Sequence, residues 1–229
     1  MFVSVAFFAS AVVLAAPLPY RYRYRIAVAW VRVVLSALKA LCGLSYTVEG
    51  RENIPDEPCV AMLKHSSTME TLVELLLFPN QTWALKYELM WIPLFGWGLA
   101  LLKPIAVRRG GGHRAVNQLA RKGTERLGEG IWVMIFPEGT RVAPGEVGRY
   151  GVGGAALALR SGAKIVPVAH NAGDFWPRRG WVKKPGTVRF VIGPPISADG
   201  LEPRKINKKI RDWIETTVAR IREETGSGA

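Results

Sequence analysis

The sequence predicts an α/β protein: a mainly parallel mixed sheet with helices on both faces, preceded by an apolar helical segment. Short apolar runs rich in β-branched residues recur along the chain, and they are continuous, as in strands covered on both faces. Segments with helical periodicity lie between these runs. Strands that alternate with helices form parallel sheets, so the pattern favours this class.

Length, composition and charge limit the kinds of fold and partner that the sequence allows. The chain has 229 residues, 49% of them apolar, which suffices for a well-buried core. Lys and Arg number 31 against 18 Asp and Glu, a net charge of +13. This excess favours an anionic partner, such as nucleic acid, an anionic membrane or a phosphorylated substrate. The two cysteines, Cys42 and Cys59, have no zinc-ligand spacing, and we expect neither a metal nor a cofactor.

Residues 1–44 are predicted to be a membrane-anchoring segment and residues 45–229 an α/β domain. The first 20 residues carry no charge, "RYRYR" follows, and residues 26–43 are again mostly apolar. About 19 residues in a helix reach ~28 Å, close to the thickness of a bilayer core. We therefore expect one span or an interfacial two-helix hairpin.

The flanking charges indicate the orientation of this segment. No Lys or Arg precedes position 21, which argues against a cleaved signal peptide. The three arginines of "RYRYR" favour the cytoplasmic headgroups, and Tyr20, Tyr22 and Tyr24 suit the same level. The rest of the chain is then expected on the cytoplasmic face, of the inner membrane if the protein is bacterial.

The elements of the α/β domain follow from local patterns. Helices are expected after Ser67, over 113–127, where apolar residues share one face, and over 203–222, where an isoleucine-rich stripe recurs. In such folds ligands bind at the loops that follow the strands. Strands are expected at 59–63, 104–107, 131–136, 165–169 and 188–192.

The stretch "KHSSTMET" follows the first of these strands and has two interpretations. His65 and Glu70 are five residues apart, so within one helix they would point about 140° away from each other. They meet only if His65 precedes a helix whose first turn holds Glu70. "STME" fits such a start as a capping box, with Ser67 as N-cap and Glu70 at N3. Capping the helix and pairing with His65 compete for the carboxylate of Glu70. We expect Nδ1 of His65 to face Glu70.

A second polar group follows the strand 131–136. "PEGTR" offers an acid, a glycine that permits close backbone approach, a hydroxyl, and in Arg141 a guanidinium that suits a phosphate. A β-turn with a surface ion pair between Glu138 and Arg141 is the alternative. Between the two polar groups, the stretch 91–97 is apolar enough for a membrane or an acyl chain, although core packing explains it equally well.

Five segments together resemble a known family. "HSSTME", "KYELMWIPLFG", "IAVRR", "FPEGTR" and "VPVAHNAG" stand in the order and spacing of the 1-acyl-sn-glycerol-3-phosphate acyltransferases, over about residues 50–200. The resemblance implies an enzyme that moves an acyl group from a thioester to the sn-2 hydroxyl of lysophosphatidic acid and forms phosphatidic acid. The implied partners are lysophosphatidic acid, an acyl-carrier protein or acyl-CoA donor and the membrane, with no nucleic acid.

The resemblance also implies roles for individual residues. His65 and Glu70 match the H-x4-D motif as general base and acid partner, in the variant form H-x4-E. Arg108 stands where the family has an acid, and "YGVG" at 150–153 lacks a lysine that is usual there. The implied substrate-binding residues are Lys86, Arg109, Glu138, Gly139, Thr140 and Arg141.

Other functions remain open at this point. The chain resembles enzymes that acylate one lysophospholipid, so another lysophospholipid or lipid alcohol is an alternative acceptor. A membrane-bound phospholipid hydrolase would use water instead of the lipid alcohol. A third alternative is a basic, membrane-tethered protein that binds anionic lipid or nucleic acid. Such a protein would have aromatic residues between its cations, and in this sequence only "RYRYR" has that pattern.

Overall fold

The computed structural model describes residues 2–108, 110–178, 180 and 182–226. Its helices are α1 (Phe2–Leu14), α2 (Tyr20–Cys42), α3 (Met69–Leu77), α4 (Phe95–Ala100), α5 (Gly112–Gly128), α6 (Gly153–Ser161), α7 (Ala172–Phe175) and α8 (Pro203–Glu224). Its strands are β1 (Leu44–Glu49), β2 (Val60–Leu63), β3 (Gln81–Lys86), β4 (Ile105–Val107), β5 (Trp132–Ile135), β6 (Ile165–His170) and β7 (Gly186–Ile192).

The strands form one mixed sheet in the order β1-β7-β6-β2-β5-β3-β4. β6 and β7 are antiparallel, and the other neighbouring strands are parallel. The mainly parallel mixed sheet predicted from the sequence is therefore confirmed. All five expected strands are present, and β1 and β3 are additional.

Two apolar layers cover the two faces of the sheet. In β2, Ala61 and Leu63 belong to the layer beneath α2 and α3, whereas Val60 and Met62 belong to the layer beneath α5, α6 and α8. This alternation buries both faces of a central strand, which explains its continuous apolar sequence. Gly154 lets α6 approach β2 closely, because a Cβ there would lie 2.6 Å from Sδ of Met62.

The N-terminal segment forms two helices that pack against each other. α1 has 13 residues, fewer than the 19 expected, and the prolines at positions 17 and 19 lie between it and α2. α2 is amphipathic and buries a stripe that includes Ala27, Val31 and Leu35 in the same core layer as α3. Within the residues that the structure describes, none of the helices combines the length and the apolar composition that crossing a bilayer requires. The predicted domain boundary at residue 44 stays a prediction.

Two of the three N-terminal tyrosines hold α2 against the domain. The hydroxyl of Tyr20 donates to the carbonyl oxygen of Gln81 at 2.6 Å, and that of Tyr24 to the carbonyl oxygen of Leu75 at 3.0 Å. Only Tyr22 is solvent-exposed. Tyr20 and Tyr24 thus bond to the protein, and the expectation that all three tyrosines lie at headgroup level stays a prediction.

The sheet forks at its carboxyl edge. β3 pairs with β5 only as far as Trp83 and Met134. From Ala84 to Lys86 it pairs with β4 instead. The carboxyl ends of β3 and β5 are therefore not hydrogen-bonded to each other, which opens space at the edge where β2 also ends.

Candidate active site

His65 lies in the loop between β2 and α3, and its main chain and ring are both held. Its N–H donates to Oε2 of Glu138 at 2.7 Å, and its carbonyl oxygen accepts from the N–H of Val142 at 2.9 Å. Its ring stacks on Phe136, with 4.1 Å between the ring centroids. Its Nδ1 lies 2.9 Å from Oε1 of Glu70, as expected from the sequence.

Glu70 is fully buried in the first turn of α3. Oε1 accepts from the N–H groups of Ser66 at 3.0 Å and Ser67 at 2.9 Å, in addition to facing the His65 ring. The expected competition between the cap and the histidine is therefore wrong, since one oxygen serves both. The helix starts one residue later than expected, with Thr68 at the N-cap position.

This geometry leaves one ring nitrogen of His65 available for chemistry. Oε1 of Glu70 already accepts from two main-chain amides, so it is an acceptor for the ring as well. Nδ1 of His65 therefore carries the proton, and Nε2 has the free lone pair. His65 also lines a cavity.

Glu138 has both carboxylate oxygens engaged by the protein. Oε1 lies 2.8 Å from Nζ of Lys64, and Oε2 accepts from the His65 amide. Burial raises the pKa of Glu138, and the bond to Lys64 opposes that rise. The sequence expectation was a glycerol-phosphate ligand, but in this structure the carboxylate turns to Lys64 and His65.

The turn after Glu138 lies beside the cavity. Gly139 has φ +65°, a conformation that favours glycine, and it lines the cavity. Its N–H donates to the carbonyl oxygen of Phe136 at 3.0 Å, so this amide is engaged within the turn. Thr140 is half-buried in the same turn. Nη1 of Arg141 is 2.8 Å from Oγ1 of Thr68, which also lines the cavity.

Lys86 lies at the carboxyl end of β3 and lines the same cavity. Its side chain is 40% exposed, and Nζ is 3.6 Å from Oε1 of Glu88. The neighbouring Arg108 stacks over the ring of Tyr87. Arg109, the other predicted cation, lies outside the described residues. The structure thus gathers His65, Gly139 and Lys86 around one space, with Arg141 held at its edge through Thr68.

That space is a cavity of about 650 Å³ between the forked ends of β3 and β5. It continues from His65 to the N-terminal helices, where its walls are almost entirely apolar. Sequence patterns did not identify this part of the site, because the residues are far apart along the chain. The residues of α1 and α2 that line it are Val5, Phe8, Ala9, Val12, Ala27 and Trp30.

An ionisable residue, Glu74, interrupts the apolar wall. Glu74 is fully buried one turn after Glu70 on α3 and borders the cavity. Burial raises the pKa of Glu74 well above its usual range, and the charge of Glu70 adds to the rise. A hydrogen bond from Trp83 opposes this rise only partly. Burial therefore favours the neutral form of the Glu74 carboxyl group.

An apolar surface lies outside the cavity, where α1 packs against α4. Phe7 of α1 is 68% exposed, and Trp97 of α4 is 58% exposed. Trp91 and Ile92, just before α4, are exposed as well. The predicted apolar cluster is therefore largely on the surface, although Phe95 lines the cavity.

The chain is similar to several known proteins. A family model described as acyltransferase matches residues 45–171. A 1-acyl-sn-glycerol-3-phosphate acyltransferase of Pseudomonas aeruginosa is 46% identical over 208 residues, which cover 89% of this chain and 81% of that protein. A protein of the same name from Saccharomyces cerevisiae is 30% identical over 200 residues, covering 83% of this chain and 65% of the yeast protein.

The fold also matches a crystal structure. The 1-acyl-sn-glycerophosphate acyltransferase of Thermotoga maritima superposes with a TM-score of 0.79 at 24% identity, covering 96% of this chain and 91% of that one. At this level of identity, the superposition shows that the two chains share one fold.

Proposed function

This chain belongs to the acyltransferase family, among the relatives of the 1-acyl-sn-glycerol-3-phosphate acyltransferases, and we propose that His65 is the general base of its reaction. The enzyme acylates 1-acyl-sn-glycerol-3-phosphate and forms phosphatidic acid. The family membership predicted from five sequence segments is thereby confirmed. The observation that carries the proposed role of His65 is its contact with Glu70, 2.9 Å from Nδ1, at the wall of a cavity.

In the proposed mechanism, Nε2 of His65 takes the proton of the sn-2 hydroxyl while the hydroxyl oxygen attacks the thioester carbonyl carbon. The C–S bond then breaks, the new ester remains on the glycerol, and the leaving thiolate takes the proton from the imidazolium. Glu70 stabilises the positive charge of the imidazolium between these two steps. No covalent bond to the enzyme forms.

We assign the phosphate of the acceptor to the cations at the cavity mouth. Lys86 lies on the cavity wall, and Arg141 is fixed beside it by Thr68. A guanidinium can bind two phosphate oxygens at once, and an ammonium adds a point charge. Arg109 joins this group on the basis of its sequence motif. Holding the phosphate places the neighbouring hydroxyl beside His65, which lowers the entropic part of the barrier.

The remaining predicted site residues receive supporting roles. Gly139 and Thr140 form the turn that brings Arg141 to the cavity, and they lie where the glycerol backbone would bind. Glu138 orients the main chain of His65. The apolar part of the cavity takes an acyl chain, since its walls at α1 and α2 offer the chain an environment without water.

We further propose that the enzyme docks on a membrane through α1, α4 and the residues before α4. Phe7, Trp91 and Trp97 are exposed, and other residues of α1 and α4, such as Phe8 and Leu99, line the cavity. Arg21, at the start of α2, adds positive charge that suits anionic headgroups. The N-terminal helices would then lie as a hairpin in the interface, with the active site on the cytoplasmic face.

An acyl-transfer assay with purified enzyme on phospholipid vesicles tests the function. Thioester cleavage should depend on lysophosphatidate and should give phosphatidate. Lysophosphatidylcholine and lysophosphatidylethanolamine should be poor acceptors, since their headgroups mask the phosphate. Cleavage at the same rate without any acceptor would identify a hydrolase and contradict the proposal. Parallel reactions with acyl-carrier protein and coenzyme A thioesters identify the donor.

A further inference from the structure

Lys64, the residue before His65, is a buried cation that the proposed mechanism does not use. It is only 3% exposed, so it is not a ligand for the phosphate of a substrate. Its Nζ lies 2.8 Å from Oε1 of Glu138, 2.8 Å from Oε1 of Glu215 and 3.0 Å from the carbonyl oxygen of Glu146. An ammonium group has three donors, and all three are occupied here.

Glu215 belongs to α8, beyond residue 171 where the family match ends. Its Oε1 also accepts from the hydroxyl of Tyr150 at 2.8 Å. Asn207, two turns earlier on α8, donates to the carbonyl oxygen of Tyr150 at 3.0 Å. Tyr150 therefore fixes the carboxylate of Glu215, and Asn207 of α8 in turn holds Tyr150.

Glu138 transmits this constraint to the histidine. One of its oxygens meets Lys64 and the other accepts from the His65 amide at 2.7 Å, so the carboxylate cannot rotate without losing one of the two bonds. On the opposite side, Nε2 of His170 donates to the carbonyl oxygen of Lys64 at 2.8 Å. The peptide between residues 64 and 65 is thus held from both sides.

The position of the Lys64 ammonium between Glu138 and Glu215 depends on the charge of Glu215. A buried ammonium is stable only when it is paired and hydrogen-bonded. Without Glu215, Lys64 loses one of its two anionic partners and Tyr150 loses its acceptor. Lys64 is then drawn towards Glu138 alone, and that carboxylate shifts with the His65 amide bonded to it. A displacement of this kind would move Nε2 away from the acceptor hydroxyl without changing the binding pocket.

We propose that Glu215 is a positioning residue of the active site: through Lys64 and Glu138 it sets the place of the His65 main chain. The inference rests on the proposed role of His65 as the base. It assigns α8, at the other end of the chain, a direct part in the geometry of catalysis. It also explains why a lysine precedes the histidine in "KHSSTMET".

Steady-state kinetics of Glu215→Leu and Glu215→Gln, with Asp212→Leu as the control, test the proposal. Asp212 is an exposed acid on the same helix that pairs with Lys208. We expect Glu215→Leu to lower kcat about tenfold while KM for both substrates stays within twofold. Glu215→Gln keeps an acceptor for both Lys64 and Tyr150, so most of the kcat should return. Asp212→Leu should match the unmodified enzyme.

Thermal unfolding of the same variants separates positioning from stability. If Glu215 only stabilises the fold, Glu215→Leu will unfold at a lower temperature but will keep its kcat per folded molecule, and the proposal is overturned. A rise in KM for lysophosphatidate with unchanged kcat would overturn it as well. If Glu215→Leu does not fold, Lys64→Arg decides, because the longer side chain keeps the charge but changes the bonds to Glu138 and Glu215. A folded Lys64→Arg enzyme with the kcat of the unmodified enzyme would contradict the proposal, and a lower kcat with unchanged KM values would support it. His65→Ala tests whether His65 is the base. Failure of that proposal can therefore be distinguished from failure of the proposal for Glu215.

Discussion

Oε1 of Glu70 lies 2.9 Å from Nδ1 of His65 and accepts, at the same time, from the main-chain amides of Ser66 and Ser67. The start of α3 therefore fixes the carboxylate, and the carboxylate fixes the ring. One carboxylate thus both caps α3 and orients the ring of the proposed base. The separation of five residues between His65 and Glu70 follows from this arrangement, since the histidine must precede the helix.

Glu70→Gln should separate the two functions of this carboxylate. The side-chain oxygen of glutamine still accepts from the two amides, so the start of α3 should persist. The amide is neutral, however, and cannot stabilise the imidazolium formed when His65 takes a proton. We expect kcat to fall by roughly 10²-fold or more, with a change of only a few degrees in Tm. Kinetics and thermal unfolding measure the two effects.

Glu125→Gln is a suitable control, because Glu125 is an exposed acid on α5. It should leave both kcat and Tm unchanged. A Glu70→Gln enzyme with near-normal kcat would show that Glu70 is a cap alone, and the proposed mechanism would lose its acid partner.

His65→Ala should abolish transfer while the protein stays folded. The His65 side chain is partly exposed and stacks on one ring, so its loss removes little packing. A general base contributes about 10²–10⁴-fold to a rate, and we expect a loss on this scale in kcat. His113→Ala, at an exposed position on α5, is the matched control. Substantial transfer by a folded His65→Ala enzyme would contradict the mechanism.

Arg141→Lys should weaken the binding of lysophosphatidate more than that of the thioester. Lysine keeps the charge but loses the planar guanidinium that binds two oxygens and reaches Thr68. We expect KM for lysophosphatidate to rise about tenfold, with KM for the thioester within twofold. Arg121→Lys, in an exposed ion pair on α5, controls for the loss of a guanidinium. Equal changes in both KM values would indicate that Arg141 supports the fold instead.

The sequence identified the residues at the strand ends better than it identified the walls of the cavity. His65, Glu70 and Arg141 follow buried strands, and parallel strands bring their carboxyl ends to one edge. β3 was missed because its polar residues, such as Thr82, resemble a loop in the sequence. In the fold, the Thr82 hydroxyl bonds to the carbonyl oxygens of Leu102 and Lys103, which no local pattern reveals.

Long-range contacts explain the other differences. "RYRYR" looks like a headgroup anchor, yet Tyr20 and Tyr24 bond to carbonyl groups more than 50 residues away. The role of Lys64 was likewise not predictable, since its partner Glu215 lies on the last helix. Local sequence thus predicts which polar residues gather at the strand ends, and tertiary contacts decide which of them line the cavity and which bond to the protein.

The exposed apolar surface should mediate membrane binding. Phe7→Ser and Trp97→Ser remove large side chains from α1 and α4 without entering the core. Each substitution should weaken binding to phospholipid vesicles about tenfold, the scale expected when one large apolar side chain no longer leaves water. Leu159→Ser, at an exposed apolar position on α6, is the control. Vesicle co-sedimentation measures the partition coefficients, and equal values for all three variants would exclude this surface as the membrane contact.

Glu74→Gln should stabilise the protein by an amount that grows with pH. Burial raises the pKa of Glu74 above its ordinary value of 4.5, so the folded protein keeps a proton that the unfolded chain releases above that pH. The contribution of Glu74 to the unfolding free energy is therefore fully present below pH 4.5. It falls as the pH rises towards the pKa of Glu74 in the folded protein. Glutamine does not titrate, and its oxygen can still accept the hydrogen bond from Trp83. The difference in unfolding free energy should increase by up to about 1.4 kcal/mol per pH unit.

Unfolding of the Glu74→Gln protein and the unmodified protein, measured in the same detergent from pH 4.5 to pH 8, gives that difference directly. Other titrating groups occur in both proteins, so their contributions cancel in the difference. Glu125→Gln, at its exposed position on α5, controls for the loss of a carboxylate in general. A difference that stays constant across this range would show that Glu74 binds the same number of protons in the folded and unfolded states. The cavity wall would then hold a charged carboxylate whose buried Oε2 has no hydrogen-bond partner among the described residues, which is costly.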